Sequence, residues 1–313
     1  MPDQANPERL FQTQSLGTLS GSNMSISGLI RRPWLRRVLV ALSVLLLVSI
    51  VGLAVILRVP TVALPEGVHR ATTRVELTGQ WVMVDAYLPA GTNPAPLVLL
   101  AHGFTRNRHT MAGWGALLAR EGFIVVVPDL PTLADHARNG RALVELLDLP
   151  RQGQLLSQRR TSGQAALVGF SAGGLSSWLA AEGNTNVACW VGLDPVGQGN
   201  LGEAAKKSGF SGYVIRAEPV SWNAQGNARG FLAALPGPAF SLIVNHATHV
   251  DAENPTSLAA EWACGKSEPA RREIFGRYLL LSLRAGLLGD ELARQSLRSA
   301  TNDPGVHEVK RRD

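Results

Sequence analysis

The sequence is poor in the residues on which several protein classes depend. Only two of its 313 residues are cysteine, Cys189 and Cys264, so at most one disulfide can form. That pair is compatible with a disulfide or with two separate thiols, because Cys189 lies in an apolar stretch where cysteine serves as a small hydrophobic residue. Charged residues make up 17% and hydrophobic ones 45%, which excludes a disordered or fibrous chain. No internal repeat is present.

A basic cluster is also missing from the part of the chain that is predicted to fold. The formal net charge is +6, but the first 58 residues hold six of the 30 basic residues and only two of the 24 acidic ones. The rest therefore carries 24 basic and 22 acidic residues. A nucleic-acid surface needs a basic patch on the folded domain, so nucleic acid is excluded as a predicted partner.

The basic excess lies beside an apolar run of twenty residues, Val38–Leu57. As a helix this run would rise about 30 Å, enough to cross a bilayer. Four arginines precede it and only Arg58 follows closely; they are Arg31, Arg32, Arg36 and Arg37. The positive-inside rule then predicts a single-pass anchor with the N-terminus in the cytoplasm and the domain outside. A cleaved signal peptide is the alternative, although its apolar core is normally shorter.

The chain divides into five predicted segments. They are a disordered basic cytoplasmic tail at 1–37, a transmembrane helix at 38–57, a linker at 58–70, a catalytic domain at 71–298 and a polar C-terminal tail at 299–313. The last dozen residues are expected to be frayed.

Short apolar runs alternate with helix-length segments through the catalytic domain. The runs are Leu97–Ala101, Ile124–Val127, Ala166–Phe170, Val187–Leu193, Tyr213–Ile215 and Phe240–Val244. This alternation predicts an α/β fold with a doubly wound, mostly parallel sheet. A hairpin is predicted before the parallel strands, at Arg74–Leu88. Helices are predicted at 110–121, 138–147, 172–182 and 270–287. The segment 131–160 is interpreted as a plain crossover and not as a wall of the substrate pocket.

A candidate nucleophile lies in the sequence Gly169-Phe170-Ser171-Ala172-Gly173. The pattern alone is common by chance, but a strand precedes it and a helix follows, which is the order of a nucleophile elbow. Acyl transfer also needs two backbone donors for the oxyanion. We expect these to be the N–H groups of Ala172 and Phe104, the latter in the loop after His102-Gly103. His102 itself is expected to be structural.

The base and the acid follow the serine in this fold's chain order of Ser, Asp or Glu, then His. His246 and His249 both lie in the loop after the strand Phe240–Val244, and spacing favours His249 weakly. The remaining histidines are excluded by their place in the chain; they are His69, His102, His109, His136 and His307. Asp194, directly after its strand, is preferred as the acid, with Glu218 as the alternative.

These residues resemble the branch of the α/β-hydrolase superfamily that contains chlorophyllases, platelet-activating-factor acetylhydrolases and bacterial polyester hydrolases, a dienelactone-hydrolase-like group. The matching segments are 99–131, 168–174, 192–196 and, more loosely, 247–256. The resemblance implies a Leu-Asp-Pro-Val acid at Asp194 and an x-His-x-Asp base at His249. The sequence departs at Phe170, where relatives often carry His or Trp, and at Glu218, where the polyester hydrolases place their acid.

The predicted function is therefore that of a serine hydrolase, esterase- or lipase-like, which cleaves carboxylic esters through a Ser-His-Asp triad and an acyl-enzyme. This chemistry needs no cofactor and no metal, and the expected partner is a small-molecule or lipid-like ester. One alternative is an acyltransferase that uses the same acyl-enzyme. Another is a catalytically inactive, membrane-anchored binding protein with a hydrolase fold.

Overall fold

The computed structural model describes residues 33–151, 155, 159–197, 201, 209–235 and 237–312. The chain divides into two compact units, Met1–Ala54 and Val55–Asp313. Helix α1 spans Pro33–Leu57, and its stretch Arg36–Leu57 is long and apolar enough to cross a membrane. A signal sequence passes the same test of length and composition, so the single-pass topology stays a prediction.

The described part of the second unit contains one nine-stranded sheet. Its strands are β1 (His69–Leu77), β2 (Gln80–Leu88), β3 (Ala95–Ala101), β4 (Ile124–Pro128), β5 (Thr161–Phe170), β6 (Val187–Leu193), β7 (Ser211–Arg216), β8 (Ala239–Val244) and β9 (Val306–Arg312). Their spatial order is β1-β2-β4-β3-β5-β6-β7-β8-β9. In this order, the strands from β4 through β3 to β8 each pair in parallel with their neighbours. At one end β1 pairs antiparallel with β2 and β2 with β4, and at the other end β9 pairs antiparallel with β8. The predicted hairpin and mostly parallel sheet are confirmed.

Helices cover both faces of this sheet. They are α2 (Ala112–Arg120), α3 (His136–Arg151), α4 (Ala172–Ala181), α5 (Arg229–Ala234), α6 (Leu258–Cys264), α7 (Pro269–Leu287) and α8 (Glu291–Arg298). One core contains Trp114 of α2 and Phe275 of α7, and the other contains Leu143 of α3 and Trp178 of α4. Because both faces are buried, the central strands are apolar without alternation. Each fully buried large side chain contributes about 1.5–3 kcal/mol.

The two cysteines are free thiols in this structure. Cys189 is buried in β6, and burial raises the pKa of its thiol. Cys264 ends helix α6 and is partly exposed. Of the two alternatives left open by the sequence, the structure contains the separate thiols.

The predicted fraying of the last dozen residues is wrong over Val306–Arg312, which forms β9. This strand pairs antiparallel with β8, so that Val306 lies opposite Val244. Only Val306 of the strand is buried, because β9 is an edge strand with most side chains in solvent. The segment therefore lacks the apolar run by which the inner strands are recognised.

One side chain of β9 forms an ion pair with a buried arginine. Arg216, at the end of β7, is only 1% exposed, and its Nη2 lies 3.2 Å from Glu308 Oε2. Burial lowers the pKa of Arg216, and Glu308 opposes that shift by a hydrogen bond and by its charge. The edge strand β9 thus supplies, through Glu308, a carboxylate for the buried Arg216 at the end of β7.

Glu308→Gln should therefore destabilise the fold more than removal of an ordinary surface carboxylate. Leaving Arg216 buried without its carboxylate should lower Tm by about 5 °C. Glu291→Gln is the matched control, since Glu291 pairs only with exposed arginines on α8, and its Tm should change by less than about 2 °C. Thermal unfolding followed by circular dichroism measures both, and equal shifts would contradict this role of β9.

Candidate active site

Ser171 lies at a sharp turn between β5 and α4. Its φ is 53°, in the left-handed region, which is strained for a residue with a side chain. Its N–H donates to the carbonyl of Leu193 at 3.1 Å, which holds this conformation against the neighbouring strand. A Cβ on Gly173 would lie 2.3 Å from the oxygen of His102, and one on Gly169 would lie 2.3 Å from that of Gly173. Both glycines of the pattern are therefore needed for the close approach of helix and strands.

His249 is the histidine that the structure brings to Ser171. Its Nε2 lies 2.9 Å from Ser171 Oγ, and its side chain is buried. The ring of Phe170 packs against it, with the ring centroids 4.8 Å apart. When Nε2 accepts the hydroxyl proton, Nδ1 must carry the ring's own proton, which requires an acceptor on that side.

Asp194 supplies this acceptor. Its Oδ2 lies 2.6 Å from His249 Nδ1, and the residue is 1% exposed. Two further donors orient the carboxylate: the N–H of Ala217 reaches Oδ1 at 3.0 Å, and Nδ2 of Asn223 reaches Oδ2 at 3.1 Å. A buried carboxylate that accepts hydrogen bonds from three donors is held in one orientation.

Glu218 and His246, the alternative acid and base, form contacts with residues other than Ser171. His246 is exposed and has a φ of 58°, and its N–H donates to Glu218 Oε1 at 3.0 Å. The other oxygen of Glu218 lies 3.6 Å from His307 Nε2. Glu218 therefore stabilises the turn after β8, and the described contacts of this pair do not include Ser171.

The predicted oxyanion loop packs directly against the serine. A Cβ on Gly103 would lie 3.1 Å from Ser171 Cβ. His102 donates from Nδ1 to the oxygen of Gly103 at 2.9 Å, and its Nε2 accepts the N–H of Leu130 at 2.9 Å. Burial lowers the pKa of His102, so the ring stays neutral in this tautomer. Since a trans peptide directs its C=O and N–H to opposite sides, His102 holds the Phe104 N–H pointing away from itself.

A buried ion pair joins the oxyanion loop to the loop that carries His249. Arg106 Nε donates to Glu253 Oε2 at 2.9 Å, and the Glu253 carboxylate is fully buried. Thr256 donates to its second oxygen at 2.6 Å. Burial raises the pKa of Glu253, and the charge of Arg106 opposes that shift. The pair thereby fixes the distance between the predicted oxyanion donors and the predicted base.

The carboxylate of Asp251 stabilises the turn on which His249 lies. This carboxylate accepts the Thr248 N–H at 2.8 Å, the Ser267 hydroxyl at 2.8 Å and Arg271 Nε at 2.7 Å. Sequence reasoning assigned no role to Asp251, Asn223 or the Arg106–Glu253 pair. Only Asp251 has a local signal, because it follows His249 by two residues in the x-His-x-Asp pattern.

A cleft of about 140 Å³ opens beside the oxyanion loop. One wall is formed by Phe104, Arg106 and the first turn of α4, and the other by Leu130, Thr132, Leu133, His136 and Asn139. The first part of the segment 131–160, which we interpret from the sequence as a plain crossover, therefore lines a cleft in the structure. Two hydrogen bonds stabilise this part: the Thr132 N–H donates to Asn139 Oδ1, and Asn139 Nδ2 donates to the carbonyl of Thr132.

Among the described residues, no group of three or more His, Cys, Asp or Glu side chains is arranged to hold a metal ion. The candidate site consists of a serine, a histidine, a carboxylate and the predicted backbone donors.

Comparison with known proteins identifies the class of this arrangement. The model of the alpha/beta hydrolase family matches residues 98–311, and the chain belongs to this family. It is also similar to the bis(hydroxyethyl) terephthalate hydrolase of Streptomyces coelicolor, with 27% identity over 187 residues. That alignment covers 56% of this chain and 58% of the relative, so the chain spans little more than half of that protein.

Asp194→Asn should abolish most of the hydrolysis of p-nitrophenyl acetate. An asparagine amide favours the wrong histidine tautomer, so kcat should fall by about 10³–10⁴-fold. Glu218→Gln is the matched control and should leave kcat within about threefold, because its carboxylate serves a neighbouring turn. Steady-state kinetics of both variants measure this, and the reverse ranking would show that the acid has been misassigned.

His102→Leu should impair the same reaction through the oxyanion loop. The Phe104 N–H would lose its fixed orientation, which lowers kcat by about 10- to 100-fold and changes KM much less. His102→Asn should recover part of kcat, since an amide nitrogen can replace Nδ1 as a donor to Gly103. If both variants lose kcat equally while remaining folded, the hydrogen bond to Gly103 is not what matters.

Proposed function

We propose that this protein is a serine hydrolase of carboxylic esters, with Ser171 as nucleophile, His249 as general base and Asp194 as the acid that orients it. The observation that carries the proposal is the pair of hydrogen bonds at 2.9 and 2.6 Å, which joins the three side chains in one series. Membership of the alpha/beta hydrolase family supports the same chemistry.

In the proposed reaction, His249 Nε2 takes the hydroxyl proton as Ser171 Oγ attacks the ester carbonyl. The developing oxyanion accepts hydrogen bonds from the N–H groups of Phe104 and Ala172. The imidazolium, stabilised by Asp194, then returns its proton to the departing alkoxide. Water repeats these steps on the acyl-enzyme and releases the acid.

The cleft supports a small ester as substrate. Its volume of about 140 Å³ is small, and polar groups from Arg106, Asp129 and His136 border it. Phe104 and Leu133, at 55% and 64% exposed, offer apolar surface at its rim. We propose short acyl groups as the preferred ones. The terephthalate ester named for the relative is a further candidate, carried only by the 27% identity.

We also propose that helix α1 keeps this activity at a membrane, with the N-terminus in the cytoplasm and the hydrolase domain on the other side. The four arginines before the apolar run support that orientation. A substrate in or near the outer surface of the membrane would then lie within reach.

The test is hydrolysis of p-nitrophenyl esters from acetate to decanoate by the full-length protein. The wild type should be active, with kcat/KM highest for the short chains, and Ser171→Ala should lower kcat by about 10⁴-fold or more. Ser282→Ala is the control, because Ser282 is a buried serine of α7 that does not line the cleft and whose hydroxyl makes no hydrogen bond among the described residues. Activity should stay in the membrane pellet after an alkaline carbonate wash.

Each outcome bears on a separate part of the proposal. Activity that survives Ser171→Ala would overturn the esterase mechanism. A preference for decanoate would overturn only the proposed acyl length, and activity released into the wash would overturn only the anchor.

A further inference from the structure

The exposed aromatic side chains of the second unit lie at one edge of the sheet. Among its described Phe, Tyr and Trp residues, all are buried except four that are more than half exposed: Trp81, Phe104, Trp222 and Trp262. Phe104 follows the carboxyl end of β3, and Trp222 follows that of β7. Trp81 precedes Val84, which pairs with Pro128 at the end of β4, so Trp81 lies beyond that end. This edge also carries the candidate active site.

Helix α6 presents two large apolar side chains to solvent at the same edge. Leu258 and Trp262 are 48% and 77% exposed, and their spacing of four residues places them on the same side of the helix. A Cβ on Gly265, directly after α6, would lie 2.7 Å from Thr248 Cγ2. Thr248 precedes His249, so this apolar side of α6 lies near the predicted base. A single exposed apolar side chain is ordinary on a protein surface, whereas such a group marks a contact.

The chain enters the second unit beside this helix. Arg58 and Thr61 line a cavity together with Leu258 of α6. Val62 packs against the hydrophobic core, which fixes this stretch of chain to the domain. The apolar run ends at Leu57, whose Cα is about 3.8 Å from that of Arg58 across a trans peptide. Where that run crosses a bilayer, the bilayer surface therefore lies beside α6.

We propose that the edge of the sheet that carries Ser171 docks on the bilayer, with Leu258 and Trp262 inserted into its interfacial region. This proposal rests on the proposed membrane anchor, since the anchor ends beside α6. Tryptophan suits such a surface because its ring is apolar and its N–H is polar, and it is enriched where hydrocarbon meets the head groups. The connection to the apolar run favours lipid over a protein partner as the occupant. The cleft beside the oxyanion loop then opens toward the bilayer surface.

Fluorescence quenching by spin-labelled lipid measures this contact. In a Cys264→Ser background, Trp262→Cys is labelled with nitrobenzoxadiazole, while the buried Cys189 should not react. The full-length protein is placed in phosphatidylcholine nanodiscs with or without a nitroxide on the acyl chain near the head group. The emission should fall at least about twofold with the nitroxide, because interfacial side chains lie about 5–10 Å into the boundary of head groups and acyl chains.

Leu292→Cys, labelled in the same background, is the matched control. Leu292 is apolar and 73% exposed, but it lies on α8. Arg294 of this helix lines a cavity with Ser211 and Ala239, the first residues of β7 and β8, so α8 lies at the opposite edge of the sheet. Because a strand of six residues is about 20 Å long, the label at this position should lose less than about a tenth of its emission.

The outcomes separate docking from the anchor and from the chemistry. Equal quenching at both positions, or none at either while the protein stays in the disc, would overturn the docking alone. A label at position 262 that is shielded from aqueous iodide but not quenched by the nitroxide would show that protein covers α6, and would also overturn it. Protein that leaves the disc would overturn the anchor and the docking together. The readout involves no hydrolysis, so a failure of the ester chemistry does not affect it.

Discussion

The arrangement of Ser171, His249 and Asp194 depends on one constraint, the sharp reversal of the chain at the carboxyl ends of parallel strands. Ser171 after β5, Asp194 after β6 and His246 in the turn after β8 have positive φ values of 53°, 41° and 58°. Left-handed backbone costs roughly 1–2 kcal/mol for such residues, so it persists only where other contacts hold it. Here each N–H has an acceptor on the next strand or loop: Leu193, Ile215 and Glu218, respectively.

This constraint separates the roles of the two candidate carboxylates. Asp194 turns inward and is buried beneath His249, with donors from Ala217 and Asn223. Glu218 lies after the neighbouring strand β7 and accepts the N–H of His246, so it supports the loop that carries the base. Asn223 also donates to the backbone oxygen of Glu218, which ties both carboxylate-bearing loops together. Replacing either group therefore perturbs a different part of the same edge of the sheet.

Local pattern was sufficient to predict the parallel sheet and the turn at Ser171, because apolar strands and glycine spacing leave traces in the sequence. It favoured His249 over His246 only weakly and kept Glu218 as an alternative to Asp194. Asn223 and Glu253 left no such traces, since their partners are defined only when distant loops meet. The edge strand β9 was missed for a related reason: its stability comes from pairing with β8, while its side chains are mostly solvent-exposed and polar. The catalytic roles themselves stay proposals.

The central claim is that Ser171 is an activated nucleophile, and covalent capture tests it most directly. The full-length protein would be treated with a fluorophosphonate, digested, and searched by mass spectrometry for the phosphonylated peptide. We expect one adduct, on Ser171, that is absent from Ser171→Ala and forms far more slowly in a His249→Ala variant. An intact protein without an adduct, or an adduct on another serine that survives Ser171→Ala, would contradict it.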